Sequence, residues 1–150
     1  MVWSIVGSFL HFLAAFGVCA MVLYELVFLT QTPSLTTAKN IQRADMIYGL
    51  SALLVVLIGF IRVYYFEKGP DYYLNNPFFW IKLTAFTGVG LLSIYPSIKF
   101  FQWNPLLKSE TAPRLTIQTY NILRTLLILE VIGLVVMMIA ASMMAKGVTF

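Results

Sequence analysis

Charged residues are scarce in this sequence, and cysteine occurs only once. Only 11% of the 150 residues are charged, against about 25% in an ordinary soluble chain. No run of five basic residues occurs, so the net charge of +4 does not indicate nucleic-acid binding. Cys19 cannot form an intrachain disulfide, and C-x-x-C, zinc-finger and covalent-haem patterns are absent. Because Walker, H-E-x-x-H and Gly-x-Ser-x-Gly motifs are absent too, no signature supports a kinase, metalloprotease or hydrolase.

Apolar residues, by contrast, make up 60% of the chain, which is too much for one soluble domain to hide from water. A spanning helix takes about 20 mostly apolar residues, so the composition suffices for four. Apolar blocks occur at 3–29, 46–66, 78–101 and 122–145, and only Pro96 among the prolines lies well inside one of them. Pro96 predicts a kink or an early helix end. We therefore predict an all-α integral membrane protein: one domain, a four-helix bundle with up-down-up-down topology.

The Lys and Arg residues between the blocks predict the orientation of the bundle. The first and third connections, with their flanks, contain six of these residues: Lys39, Arg43, Lys99, Lys108, Arg114 and Arg124. The other side of the bundle contains Lys68 and Lys146, and Arg62 and Lys82 just inside the helix ends. The positive-inside rule then places the first and third connections in the cytoplasm. Both termini are therefore expected outside, which in a bacterium is the periplasm.

Helical projection predicts which face of each block points into the bundle. In the first block small and polar residues share one face, and mostly larger apolar residues occupy the opposite one, as expected for a helix between protein and lipid. The inward faces contain His11 and Glu25 in the first block, Asp45, Tyr48 and Arg62 in the second, Lys82 in the third, and Glu130 and Met137 in the fourth. Ionisable groups at membrane depth cost several kcal/mol, so each is a functional candidate.

The outer half of the predicted bundle combines one imidazole with two cations. At about 1.5 Å per residue, His11 lies about 12 Å below the outer boundary, and Arg62 and Lys82 lie about 6 Å below it. This arrangement suits a flat, apolar, anionic ligand. Haem b fits, because histidine ligates the iron and the cations bind its propionates. A structural role stays open, in which His11 bonds a neighbouring helix and the cations extend to the surface.

Two further inward residues complete the predicted site. Since the chain has one histidine, bis-histidine ligation within a monomer is impossible. The second axial position therefore falls to Met137, to a histidine of another subunit, or to no residue. Glu130 lies near mid-membrane with no cation at its depth. Its carboxyl group is expected to be protonated, to relay protons towards His11, or to pair with Lys82 through water.

Two carboxyl groups lie near the cytoplasmic boundary, where basic residues also occur. Asp45 follows Arg43 closely in the sequence, and Glu25 lies at the depth of Arg124. We expect both combinations to be interfacial ion pairs, which contribute little to stability.

A series of short motifs runs through nearly the whole chain. It comprises His11 with Glu25, Arg43-Ala44-Asp45, Tyr48-Gly49, Gly59-Phe60-Ile61-Arg62, the run KGPDYYLNNP at 68–77, Phe79 with Lys82, Leu91-Leu92-Ser93 with Pro96, Trp103 and Glu130. Together these resemble a family of small four-helix bacterial inner-membrane proteins that has only a domain-of-unknown-function label. The resemblance implies the fold and a multi-pass location in the inner (cytoplasmic) membrane, and it implies no activity.

Three motifs are also similar, more loosely, to the HemJ-type protoporphyrinogen IX oxidase family. They are His11, Tyr48-Gly49 and Trp80-Ile81-Lys82, which match a helix-one histidine, a Tyr-Gly pair opening helix two and a Trp-x-x-Lys-like start of helix three. The similarity implies haem b at the histidine and self-association, and it adds Tyr48 to the cofactor-binding positions. The outer loop differs, and other His and aromatic residues usual in that family are missing. The similarity therefore implies haem binding more than the same oxidation.

These observations predict a haem-b- or porphyrin-binding membrane protein with an oxidoreductase role towards a quinone or a porphyrinogen. His11 is the expected axial ligand, Arg62 and Lys82 bind propionates, and Glu130 relays protons. The partners expected are the lipid bilayer and further copies of the chain, with no nucleic acid. Two other functions stay open. One is transport of protons, ions or small molecules through Glu25, Glu130 and His11. The other is a non-catalytic accessory subunit of a membrane complex.

Overall fold

The computed structural model describes residues 2–66 and 68–148, and the regular elements in this part of the chain are all helices. They are α1 (Val2–Phe28), α2 (Leu35–Ile61), α3 (Pro70–Leu74), α4 (Pro77–Phe101), α5 (Asn104–Lys108) and α6 (Ile117–Ala145). A π-helical turn, Arg62–Phe66, continues α2. Four of the helices, α1, α2, α4 and α6, are long and apolar enough to cross a membrane. This confirms the predicted all-helical class and its four candidate spans.

Two of the long helices begin earlier than predicted. Residues 35–44, expected in a connection, form the first turns of α2, and α6 starts before residue 122. The hydroxyl of Ser34 accepts a hydrogen bond from the backbone N–H of Thr37, and that of Thr116 accepts one from Thr119. Hydroxyls that accept such bonds mark helix starts. Apolar content predicted the part of each helix that lies in lipid, and the polar caps determine where each helix begins.

Pro96 lies inside α4 without ending it. The helix continues to Phe101, so of the two alternatives predicted, a kink or an early end, the early end is wrong and the kink stays a prediction. An internal proline removes one backbone hydrogen bond, and Pro96 is fully buried among the packed helices, where tertiary contacts stabilise the helix. The start of α4 follows the usual rule. Pro77 occupies the first turn, and the side chain of Asn76 accepts a hydrogen bond from the N–H of Phe78.

The helices pack most extensively as two pairs, α1 with α2 and α4 with α6. Glycine permits close approach in both. A Cβ atom at Gly17 would lie 2.6 Å from the hydroxyl oxygen of Ser51. A Cβ atom at Gly133 would overlap the side chain of Val89. Small residues let membrane helices approach closely, so these glycines fix the spacing within each pair. Fewer contacts join α2 to α4, which leaves a gap between the pairs.

One side-chain bond connects the two pairs directly, and another ties the segment between α2 and α4 to α6. In α3 the hydroxyl of Tyr72 donates to the carbonyl oxygen of Met144, at the end of α6, over 3.1 Å. At the other end the side-chain amide of Gln42 in α2 donates to the carbonyl oxygen of Phe100 in α4 over 3.0 Å. The gap is therefore bridged directly at the end that contains Gln42, and at the opposite end α3 is bonded to α6.

The predicted inward and outward faces are confirmed by the burial of side chains. In α1, His11 is 7% exposed and Glu25 is 2% exposed, whereas Phe16 on the opposite face is 70% exposed. In α2, Tyr48 is buried and Leu50 is exposed. Large apolar side chains cover the outside of all four long helices. Such a surface suits lipid and is unfavourable in water.

Candidate functional site

A cavity of about 360 Å³, called here the inner cavity, lies between the two helix pairs. His11, Arg62, Lys82 and Met137 all line it. Its other walls are mainly apolar and include Ala15, Val18, Val55, Tyr73, Phe86 and Leu134. The volume falls within the range of about 300–1,000 Å³ that small-molecule pockets occupy. Four of the six predicted site residues thus meet at one cavity.

A smaller groove of about 130 Å³, the side groove, shares part of these walls. His11, Arg62 and Lys82 line it as well, and it extends along the gap between α2 and α4. Phe60 of α2 and Leu83 of α4 line the groove and are themselves exposed on the bundle surface. The groove therefore leads from the imidazole and the two cations towards the lipid-facing side.

The position of His11 depends on a glycine in the neighbouring helix. A Cβ atom at Gly59 would lie 3.3 Å from Cε1 of the imidazole and 3.7 Å from its Nδ1 atom. The absence of a side chain at Gly59 therefore leaves room for the ring between α1 and α2. The sequence motif Gly59-Phe60-Ile61-Arg62 places this glycine about one helical turn before Arg62, and both residues line the side groove.

The two cations approach the cavity from different elements. Arg62 begins the π-helical turn after α2, and its guanidinium carbon lies 5.7 Å from the centre of the Phe12 ring. Lys82 lies in α4, is half-buried, and is close enough to Arg62 for the two charges to repel each other. Like charges held together in an apolar wall favour an anion between them. Lys82 forms no hydrogen bond or ion pair with any residue in the described part of the chain.

Tyr48 and Glu130 line neither cavity. They belong to a second group, called here the carboxyl cluster, which comprises Glu25 of α1, Asp45 and Tyr48 of α2, and Glu130 of α6. The hydroxyl of Tyr48 lies beside the carboxyl group of Glu130 and the hydroxyl of Ser93, within range of side-chain hydrogen bonding. The structure thus separates these two predicted residues from His11, Arg62 and Lys82.

The predicted ion pairs at the cytoplasmic boundary are wrong for the residues described. Asp45 accepts a hydrogen bond from the hydroxyl of Ser97 over 2.5 Å, and Arg43 is exposed. Residues two apart on a helix do not face each other, which explains why Arg43 does not reach Asp45. Glu25 is buried while Arg124 is exposed. Sequence reasoning missed Ser97, although it follows Ser93 by one helical turn.

No group of three or more His, Cys, Asp or Glu side chains within residues 2–66 and 68–148 is arranged to hold a metal ion. His11 is therefore a single donor in the inner cavity, with the thioether of Met137 on the same walls. A metal held there would take its remaining donors from outside these residues, and the macrocycle of haem is one such source.

Comparison with known proteins agrees with the resemblance to a membrane family of unknown function. A family model described as "Predicted membrane protein (DUF2214)" matches residues 3–149. No curated protein and no solved structure matches the chain. The similarity to HemJ-type oxidases therefore rests on the sequence motifs alone.

Proposed function

The chain belongs to the DUF2214 family of predicted membrane proteins, and we propose that it binds haem b or a related porphyrin in the inner cavity. One observation carries the proposal: an imidazole and two cations from three different helical elements line a single, mainly apolar cavity. A porphyrin with two propionates needs this combination, because its ring is apolar, its edge is anionic and its iron takes an axial nitrogen.

Within the cavity each group has a distinct proposed part. His11 would supply a nitrogen donor to the iron, and Arg62 and Lys82 would bind the propionates through charge-assisted hydrogen bonds. Phe86 and other apolar residues of the cavity walls would pack against the ring. A second donor to the iron would come from Met137, from His11 of a second copy, or from no residue. Tyr48 and Glu130 line neither cavity and take no part in holding the ring.

A bound haem supplies one-electron chemistry, while the protein binds and orients it and excludes water. We therefore propose an oxidoreductase role, with a quinone or a porphyrinogen as the reaction partner. The redox step itself rests on the HemJ-like motifs, and the binding site rests on the cavity.

We further propose that the four long helices run up-down-up-down, in a bacterial inner membrane, with both termini outside. The contacts His11–Gly59 and Gly17–Ser51 support this topology for the first two helices. Residue numbers rise along α1 while those of the contacted residues fall along α2, so the two helices are antiparallel. The Lys and Arg distribution supports the orientation. A reporter enzyme that is active only in the periplasm should be active when fused to either terminus. If a reporter that is active only in the cytoplasm works there instead, the proposed orientation is reversed.

The test of cofactor binding is the absorption spectrum of the full chain purified from haem-replete cells. We expect a Soret band and reduced-minus-oxidised difference peaks, both of which are lost in His11→Ala. Met46→Leu is the control, because Met46 is 70% exposed and lines neither cavity. A colourless protein that also fails to bind added protoporphyrin would reject the proposal. If that protein co-purified with a membrane complex regardless of His11→Ala, the accessory-subunit function would replace it.

A further inference from the structure

Three carboxyl groups from three helices lie within electrostatic range of one another inside the bundle, and none of them lines the inner cavity. Glu25 of α1 interacts electrostatically with Asp45 of α2 and with Glu130 of α6, and Glu130 also interacts with Asp45. Along α1, Glu25 lies fourteen residues beyond His11, which is about 21 Å at 1.5 Å per residue. The carboxyl cluster is therefore a separate site with its own chemistry.

The two glutamates are almost completely buried, and each has an oxygen without a hydrogen-bond partner among the described residues. Glu25 is 2% exposed and Glu130 is 1% exposed. One oxygen of each, Oε1, has no hydrogen-bond partner among the described residues. No Lys or Arg of residues 2–66 and 68–148 forms an ion pair with Glu25, Asp45 or Glu130. A buried carboxylate without a counter-charge costs many kcal/mol, so a cation, which includes a proton, is expected to neutralise it.

The size and donors of the cluster decide which cation fits. These carboxyl groups are not arranged as a group of three that could hold a metal ion, within the described residues. A proton needs one oxygen and no coordination shell. Glu25 and Glu130 each offer an oxygen that the protein leaves unbonded.

Helices α2 and α4 contribute further polar groups beside the two glutamates. Helix α2 contributes Asp45, which is half-buried, and Tyr48, whose hydroxyl lies beside Glu130. Helix α4 contributes the uncharged hydroxyls of Ser93 and Ser97, which lie beside Tyr48 and Asp45 respectively. Carboxyl and hydroxyl groups both accept and donate protons, and Asp45 is the most exposed of the three carboxyl groups.

We propose that Glu25 and Glu130 form a proton-binding site inside the bundle, which exchanges protons with water through Asp45. A proton from water forms an O–H bond on a carboxylate oxygen, and the same bond breaks on release. No electron transfer is involved. The site shares no residue with the inner cavity, so it stands whether or not the cavity binds a porphyrin.

Infrared spectroscopy of the full chain in lipid nanodiscs tests the proposal, because neutral and ionised carboxyl groups absorb at different frequencies. At neutral pH we expect a neutral-carboxyl C=O band that shifts on transfer to D₂O. Glu25→Gln and Glu130→Gln should each remove part of the band. Glu110→Gln is the control, because Glu110 is exposed in the connection before α6, and it should leave the band unchanged.

Asp45→Asn should slow the D₂O shift without removing the band. If a glutamine variant does not fold, Tyr48→Phe provides a second measurement, because loss of the hydroxyl beside Glu130 should move the frequency of the band. Absence of the band at neutral pH, or its persistence in both glutamine variants, would overturn the proposal. So would failure to exchange in D₂O. Loss of the band when NaCl replaces choline chloride at constant pH would assign the site to a metal cation instead.

Discussion

Gly59 of α2 lies directly against the imidazole ring of His11 in α1. A Cβ atom at Gly59 would lie 3.3 Å from Cε1 of the ring, closer than side chains in well-packed interiors normally approach. Both residues line the side groove. The orientation of the single histidine in the cavity therefore depends on a missing side chain in the next helix.

Gly59→Ala should displace the imidazole by a few tenths of an ångström and weaken ligation, because axial bonding depends on ring orientation. We expect lower porphyrin occupancy per chain, measured from the Soret absorbance against protein concentration. Gly49→Ala is the matched control, since a Cβ atom there meets nothing within 4 Å. It should keep full occupancy and stabilise α2 by about 0.5–1 kcal/mol. Equal occupancy in both variants would show that His11 is not placed by Gly59.

Gly133→Ala should destabilise the bundle by about 1–3 kcal/mol, because the added methyl group overlaps the side chain of Val89 and forces α4 and α6 apart. Unfolding in mixed micelles measures the change. Adding Val89→Ala should restore part of the loss by making room. Gly88→Ala, where a Cβ atom meets nothing within 4 Å, should not destabilise. A double variant less stable than the sum of its singles would contradict this account of the contact.

Arg62→Gln and Lys82→Gln should reduce the preference of the inner cavity for a free porphyrin over its dimethyl ester. Each removes one charge-assisted hydrogen bond, worth about 1.5–3 kcal/mol, which is at least about tenfold in Kd. Titration of the purified chain with both compounds measures the preference. Lys146→Gln, at an exposed position beyond α6, should not change it. If the wild-type chain binds acid and ester equally, the cations do not hold propionates.

Ser97→Ala should destabilise the protein by about 1–3 kcal/mol, because Asp45 loses the hydroxyl that donates to it. Ser142→Ala is the control, since its hydroxyl donates to the Met138 carbonyl oxygen of its own helix and to no other residue of 2–66 and 68–148. It should change the unfolding free energy by no more than about 0.5 kcal/mol. Equal stability of the two variants would mean that Asp45 finds another donor.

The sequence predicts the number, depth and inward face of the helices because all three depend on one chain segment at a time. Hydrophobic content finds the part of α2 in lipid, but residues 35–44 are polar and were predicted as a connection. The signal for the true start was present, since Ser34 is a good cap and Ala38, Ile41 and Ala44 share a buried face. The early helix end predicted at Pro96 does not occur, because packing around the buried proline stabilises the helix beyond it.

Contacts between helices are less predictable, because spacing along one helix does not say which helix is its neighbour. Depth alone predicts that His11 lies in the outer half of the bundle, below Arg62 and Lys82, and all three do line one cavity. Tyr48 was grouped with them by resemblance, yet it lies beside Glu130. The partner of Asp45 is Ser97 on α4, whereas the sequence predicts Arg43, two residues before Asp45 on the same helix.

The side groove runs through the sparse α2–α4 contact to two exposed apolar residues, Phe60 and Leu83. A hydrophobic molecule dissolved among the acyl chains can thus reach the side groove laterally from the bilayer, without entering from the aqueous phase. Saturation should then follow the mole fraction of ligand in the lipid and not its aqueous concentration. Titrations at fixed total ligand but increasing vesicle content should consequently show declining occupancy through dilution in the bilayer.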